Sequence, residues 1–341
     1  MSTVRIGDLP LSGGGALRAT EIAYETWGTP SEEAILVCHA LTGDAHAAAS
    51  GGRAGWWDGV VGPGRAIDTS QQFVIASNVL GGCYGSTGPD DEGNAPDGTP
   101  FPQVTVEDMV RAQERLLQSL GVRRLRLVVG GSLGGLQALC WAKERDIPAR
   151  QVVAIGASDR LPPLQIALCH AQHLALELGI SHGDPAGGLR AARAVAMSTY
   201  RSDRHFGERF GRQKAQEEAK PRAFALETWL DHHGNRLAER FSAWSYLVLS
   251  RAMARFHWDR HVRDGARVDL ISISDDWLFP ADDVALLDGA LRAQSVPGEH
   301  LTLKTRMGHD AFLAEQDAMG TLLSSLLGRA EGARPRAARA L

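Results

Sequence analysis

Leu125 to Val129 is an apolar run of strand length that ends in Gly130-Gly131, sets Ser132 at the tip of a turn, and resumes as the helical pattern Leu136, Leu139, Cys140, Lys143. Strand, sharp turn and helix joined by Gly-x-Ser-x-Gly force the serine into a strained backbone. Small residues are needed on both sides so that two backbones can pass closely. The serine hydroxyl is thereby lifted clear of the sheet. Leu133 follows at the helix N-terminus, where N–H groups lack intrahelical partners and favour negative charge, so its amide is a candidate oxyanion donor. Glycine-rich turns of this kind also cradle phosphates, but neither Gly-x-Gly-x-x-Gly nor the lysine-containing phosphate loop fits these residues. A serine nucleophile requires a base and an acid from elsewhere in the chain.

The 341 residues, 44% of them hydrophobic, suffice for one large α/β domain with an insertion, burying about three quarters of the unfolded chain's surface. A net charge of −4 gives no electrostatic footprint for nucleic acid. Arg334, Arg336 and Arg339, set among Pro335 and alanines, read as a solvated tail. Met1 to Gly15 has no basic segment followed by an apolar stretch, so no secretory signal is expected. No apolar run is long enough to span a bilayer, and no membrane association is expected. Cys38, Cys83, Cys140 and Cys169 are widely spaced and read as buried or half-buried thiols, not as a disulfide frame or a zinc site. A cytoplasmic protein is the expectation.

Ile22 to Trp27 alternates as an early strand, and Ala34 to Ala40 is a continuous apolar run expected of a central strand covered on both faces. The latter runs into His39-Ala40-Leu41-Thr42-Gly43-Asp44-Ala45-His46, two strands ahead of the serine turn. From that position the N–H of Leu41 is the expected second oxyanion donor. His39 and His46 have no acidic or cysteine partner at zinc spacing, so they read as structural histidines and no metal is expected. Gly55-Trp56-Trp57-Asp58-Gly59, Gly62-Pro63-Gly64 and the stretch from Gly81 to Pro89 are irregular and expected to shape a pocket floor. Thr105-Val106-Glu107-Asp108 opens a helix carried by Met109, Ala112, Leu116, Leu117 and Leu120. Val152 to Ala157 is a further strand. Strand and helix alternate, which predicts a mostly parallel sheet with helices on both faces.

From Asp159 to Asp264 that alternation stops. Leu164 to Leu178, Leu189 to Thr199, Glu227 to Phe241 and Ser245 to Phe256 carry helical periods, about a hundred residues of helix expected to form a lid over the strand ends. Cys169, His170 and His173 lie there at helical spacing and read as packing or surface residues. Strand character returns in Val268 to Ser274, followed by Asp275-Asp276-Trp277-Leu278-Phe279-Pro280 and a helix from Asp282 to Ala293. The strand His300 to Thr305 leads to Met307-Gly308-His309-Asp310-Ala311-Phe312-Leu313 and a last helix to about Leu327. The layout expected is a core over 1–158 and 265–328, a helical lid over 159–264 and a flexible tail over 329–341.

Serine, acid and histidine, in that order and each after a later strand, follow the chain order of the α/β-hydrolase fold. His309 is the expected base for Ser132, with an acid to orient its imidazole and stabilise the imidazolium. Asp275 and Asp276 are adjacent and point to opposite sides of a strand end. Asp276 is the expected partner, because it lies nearer the loop tip where Trp277-Leu278-Phe279-Pro280 can wall it in. Asp282 and Asp283 suit the start of the next helix. Asp310 is either a solvated helix N-cap or a negative charge at the pocket mouth for a substrate ammonium. A substrate carboxylate would need a cation, and Arg190, Arg193, Arg201, Arg209 and Arg212 all qualify.

The stretches from His39 to His46, Gly130 to Gln137, Asp276 to Pro280 and Gly308 to Leu313 resemble the homoserine O-acetyltransferases. So do Tyr24-Glu25-Thr26-Trp27-Gly28, Gly55-Trp56-Trp57, Ser86-Thr87-Gly88-Pro89, Phe210-Gly211-Arg212 and Ser245-Tyr246-Leu247, so the resemblance covers nearly the whole chain. It implies acyl transfer from acyl-CoA to the hydroxyl of L-homoserine, on the route to methionine, with Ser132, Asp276 and His309 as triad and Asp310 as substrate contact. The run from Ala192 to Tyr200 resembles the segment whose arginine grips the substrate, which selects Arg193, with Tyr200 as a further candidate. A homodimer built from lid helices is also implied, and acyl-CoA is a substrate, so no bound cofactor is expected.

Two departures from the family pattern bear on the substrates. The stretch between Ala157 and Arg193 is shorter than usual, which bears on the acceptor, homoserine or serine. Succinyl-CoA-dependent members tend to carry a basic residue two positions after the catalytic acid. Leu278 stands there instead, an apolar contact for an acetyl group that leaves a succinyl carboxylate unpaired. Acetyl-CoA is therefore the expected donor and succinyl-CoA the alternative. A serine esterase with the same triad, in which water resolves the acyl-enzyme, is the nearest rival, and a binding module that has lost its chemistry is a more remote one.

Overall fold

The computed structural model describes residues 1–215 and 223–332. The chain opens with an antiparallel pair, β1 (Ser2–Pro10) and β2 (Ala16–Trp27), followed by β3 (Glu33–Cys38). A short parallel pair, β4 (Val61–Gly62) and β5 (Ile67–Asp68), comes before β6 (Val74–Ser77). Next are α1 (Val106–Ser119), β7 (Arg124–Gly131), α2 (Leu133–Trp141) and β8 (Gln151–Ile155). The helical insertion holds α3 (Pro163–Ser181), α4 (Pro185–Tyr200), α5 (Asp203–Arg209), α6 (Ala225–Ala238) and α7 (Ala243–Ala254). The chain then returns through β9 (Arg267–Ile273), α8 (Ala281–Ala293), β10 (His300–Leu303), α9 (Ala311–Ala314) and α10 (Gln316–Gly332).

The main sheet has eight strands in the order β1-β2-β6-β3-β7-β8-β9-β10. Pairing is antiparallel at β1–β2 and β2–β6 and parallel from β6 to β10. Parallel strands covered on both faces must be apolar on both. Accordingly Ile35, Val37, Val129, Val153 and Ile271 join Phe312, Met319 and Leu323 in one core, while Leu36, Cys38, Val128, Ala154 and Leu270 join Met109, Leu136 and Leu287 in the other. Thr105 and Asp108 form the expected capping box on α1. The chain has the α/β-hydrolase fold, with a helical insertion between β8 and β9.

Several sequence expectations are revised. β1 and the short α5 were not anticipated, and Gly62-Pro63-Gly64 links β4 to β5 instead of shaping a pocket. Of the tail expected over 329–341, residues 329–332 continue the backbone of α10, and 333–341, with Arg334, Arg336 and Arg339, lie outside the described residues.

The insertion leaves and rejoins the core through a closed neck. Arg160 and His257 form an antiparallel bridge, Trp258 N–H donates to Asp159 O at 2.8 Å, and Arg260 Nε donates to the buried Asp159 carboxylate at 2.8 Å. Among the described residues no helix is long and apolar enough to cross a membrane.

Candidate active site

Ser132 sits between β7 and α2 at φ 58° and ψ −125°, a backbone state that costs a non-glycine residue about 1–3 kcal/mol. Its neighbours explain why the turn can exist. A Cβ on Gly134 would lie 2.1 Å from the carbonyl oxygen of Cys38, and one on Gly131 would lie 2.4 Å from the ring of Phe312. The Ser132 N–H donates to Ile155 O at 2.9 Å, tying the strained residue to β8. Leu133 opens α2 immediately afterwards, so its N–H has no intrahelical acceptor.

Asp276, not Asp275, faces the histidine. Its Oδ1 accepts from the N–H groups of Leu278 at 2.8 Å and Phe279 at 3.0 Å, while Oδ2 lies 2.7 Å from Nδ1 of His309. Both side chains are buried. The imidazole is surrounded by the rings of Tyr200, Phe279 and Phe312, at centroid distances of 5.7, 6.0 and 5.7 Å. Burial pulls the pKa of His309 down, but the charge and hydrogen bond of Asp276, helped by the charge of Asp310, outweigh it and the net shift is upward. Nε2 of His309 is buried and has no hydrogen-bond partner among the described residues. An imidazole oriented through Nδ1 and open at Nε2 is equipped to take and return a hydroxyl proton.

A cavity of about 430 Å³ brings together Leu41, Ser132, Arg193, Tyr200, His309 and Asp310. The Arg193 guanidinium lies 5.1 Å from the centroid of the Tyr200 ring. The other lid arginines are placed differently. Arg190 faces Asp184 at 3.7 Å, Arg209 stacks on Phe210 and Trp229, and Arg212 stacks on Phe224. Arg201 pairs with Asp310, Nη2 to Oδ2, at 3.2 Å. Asp310 precedes α9 but makes no side-chain cap bond, so its carboxylate belongs to the cavity wall.

Other expected pocket residues separate. Trp56 lines the cavity, while Trp57 is buried and donates from Nε1 to Phe312 O at 3.0 Å. In the glycine-rich stretch after β6, Ser86 Oγ and Thr87 Oγ1 accept from the N–H groups of Ala23 and Glu21, so this stretch supports β2 and does not floor the cavity. Leu278, expected to meet the acyl group, is buried in the core and is not among the residues that line this cavity. It contributes a backbone N–H to Asp276 instead. His39 donates from Nδ1 to Ala40 O and accepts at Nε2 from Val79 N–H, the bonds of a neutral structural ring, and burial lowers its pKa.

The alpha/beta hydrolase fold family matches residues 33–313. A homoserine O-acetyltransferase of Methanosphaerula palustris is 41% identical over an alignment 349 positions long, gaps included, covering 94% of this chain and 71% of that protein. The chain belongs to the homoserine O-acetyltransferase family. Solved structures with this fold include both a transferase and an esterase. The homoserine O-acetyltransferase of Bacillus anthracis and the esterase E22 both superpose with a TM-score of 0.85, at 22% and 23% identity. Each alignment covers 96% of this chain, with 97% and 99% of the respective partner. Fold likeness at that identity does not separate a transferase from an esterase.

Within this family site, sequence reasoning did not anticipate that His46, Arg53 and Arg240 also line the cavity. Nη1 of Arg240 donates to Thr42 O at 2.9 Å and to the Tyr84 hydroxyl at 2.7 Å, beside the Leu41 loop. His46 lies 2.7 Å from Glu25 through Nδ1. These partners lie far apart in sequence, and no local spacing announces them.

Proposed function

We propose that this chain transfers an acetyl group from acetyl-CoA to the side-chain hydroxyl of L-homoserine, a step toward methionine, through an ester on Ser132. The carrying observation is that one cavity holds Ser132 and His309 together with a cation, Arg193, and an anion, Asp310. Those charges match the carboxylate and ammonium of an amino acid, whereas an acceptor water would need neither. The names of the relatives support acetyl as the donor group.

In this reading His309 Nε2 takes the Ser132 proton as Oγ attacks the thioester carbonyl, and the N–H groups of Leu41 and Leu133 hold the oxyanion. The C–S bond breaks and CoA leaves as a thiol with the proton from His309. Homoserine then binds with its carboxylate at Arg193 and its ammonium at Asp310. His309 takes the proton of the homoserine hydroxyl, the acyl ester is transferred, and Ser132 recovers its proton. Asp276 holds the ring and balances its charge throughout.

The test is an acyl-CoA panel, acetyl and succinyl, with homoserine, serine or water as acceptor, followed by thiol release and mass spectrometry of the product. O-acetylhomoserine as main product, with parallel initial-velocity lines, supports the reading. Free acetate regardless of acceptor supports the esterase, and a succinyl ester supports the succinyltransferase.

We further propose a homodimer formed through the insertion. α3 is apolar on most of its surface and leaves Leu164, Ile166, Leu174 and Leu178 exposed, the kind of face that a partner covers. A monomeric mass in solution would overturn this. The cytoplasm is the compartment proposed, supported by four cysteines present as free thiols.

A further inference from the structure

The loop carrying His309 is fastened to the insertion on both sides of the histidine. Ser202 Oγ donates to Arg306 O at 2.6 Å, and the Asp310 N–H donates to Tyr200 O at 3.3 Å. Between them Gly308, at φ 76°, lies so close that a Cβ would fall 2.8–2.9 Å from backbone atoms of Arg201 and Ser202. Arg201, at the C-terminal end of α4, adds its side chain to this seam. Only 13% of that side chain is exposed, against 21% for Asp310. Nη2 reaches Asp310 Oδ2 at 3.2 Å, and Nε is buried with no hydrogen-bond partner among the described residues. A guanidinium enclosed in this way differs from a solvent-screened surface pair, whose worth is close to nothing.

We propose that Arg201 is the positioning residue for Asp310: it commits Oδ2 to the guanidinium, presents Oδ1 to the ammonium of the amino-acid acceptor, and keeps the carboxylate from turning onto His309. This rests on the acceptor reading given above. Asp310 directly follows the histidine, and its charge acts on the imidazole alongside that of Asp276.

The charged and titratable groups around the two residues come from several elements. His309 faces Asp276 from the β9–α8 loop, Asp310 from its own loop, Arg201 and Tyr200 from the end of α4, and Ser132 from the elbow. Asp310 faces Arg201 at 3.2 Å and acts electrostatically on Tyr200 and on His233 of α6, with Arg193 in the same group. In that field Arg201 lowers the pKa of His309 and Asp310 raises it, so the arginine also offsets the carboxylate's effect on the base.

The experiment compares wild type, Arg201→Met, Arg201→Lys, Asp310→Asn and the double variant Arg201→Met/Asp310→Asn with acetyl-CoA and homoserine. Arg201→Met is expected to raise the homoserine KM about tenfold while the acetyl-CoA KM changes less than about twofold. The acid limb of kcat/KM for acetyl-CoA should move to higher pH, because the charge of Arg201 lowers the His309 pKa. Arg201→Lys should return that limb toward wild type. In the Asp310→Asn background, Arg201→Met should cost no further homoserine affinity, because the residue acts through Asp310. The double variant removes both charges together, so it keeps the test alive if Arg201→Met alone does not fold. A folded Arg201→Met enzyme with unchanged homoserine KM and unmoved limb overturns the proposal, as does a further loss of tenfold or more in the double variant. Wild-type enzyme that makes no acyl-homoserine overturns the functional reading instead, and this proposal with it.

Discussion

Nδ1 of His309 stands 2.7 Å from Oδ2 of Asp276, and the other carboxylate oxygen is held by the N–H groups of Leu278 and Phe279. Both lone-pair sets of the acid are therefore committed, and the imidazole is presented in the tautomer that leaves Nε2 open. Replacing Asp276 by Asn keeps the shape but reverses one end of this bond. We expect kcat to fall by about four orders of magnitude with little change in the KM for acetyl-CoA, read as thiol release. Asp275→Asn should stay within about twofold of wild type. Equal losses at both positions would remove the basis for choosing between them.

The upward shift of His309 sets the direction of the pH profile. The neutral imidazole is the working form, so activity is lost as pH falls through its pKa. The half-maximal point of kcat/KM for acetyl-CoA should lie above about 6.5, the ordinary value for histidine. Asp310 contributes to raising it, so Asp310→Asn should move the limb toward lower pH. Movement in the opposite direction would contradict the electrostatic account.

Gly134 has no room for a side chain, since its added Cβ would sit 2.1 Å from Cys38 O. Gly134→Ala should destabilise the protein by about 1–3 kcal/mol and displace Ser132, lowering both melting temperature and turnover. Gly289, with nothing within 4 Å of its added Cβ, supplies the control. Gly289→Ala lies in the middle of α8 and should be neutral or stabilising by about 0.5–1 kcal/mol.

Arg193 and Asp310 separate acceptor use from acyl-enzyme formation. In Arg193→Ala and Asp310→Ala, transfer to homoserine should drop by about a hundredfold or more, while slow hydrolysis of acetyl-CoA persists. Product analysis by mass spectrometry distinguishes O-acetylhomoserine from acetate. Parallel loss of both products would place these residues in the chemical step instead.

What could be read in advance follows from how local each determinant is. The elbow, the doubly buried strands and the Thr105 capping box depend on neighbours in sequence, and their residues spell them out. β1 escaped because it is an edge strand, mostly exposed and interrupted by Gly7 and Asp8, with register shifts at Arg5 to Leu9. The choice of Asp276 required only the loop tip, which the pattern supplied. Choosing among the lid arginines required knowing what each side chain meets. Arg201 meets a carboxylate more than a hundred positions away, whereas Arg209 and Arg212 are exposed and meet aromatic rings. Leu278 illustrates the same limit, since a residue beside the acid can serve it through its backbone while its side chain packs in the core.

The closed neck at Asp159 and Arg260 brings the two ends of the insertion together on the core. A chimera cut at those two positions keeps the ion pair and bridge that close the neck. The seam at Ser202, Gly308 and Asp310 sets the condition on such a swap. A donor segment must mate with residues 306–310 and with Thr42 and Tyr84, which Arg240 meets, as well as with the neck, so acceptor preference and the histidine loop have to be exchanged as one inheritance unit.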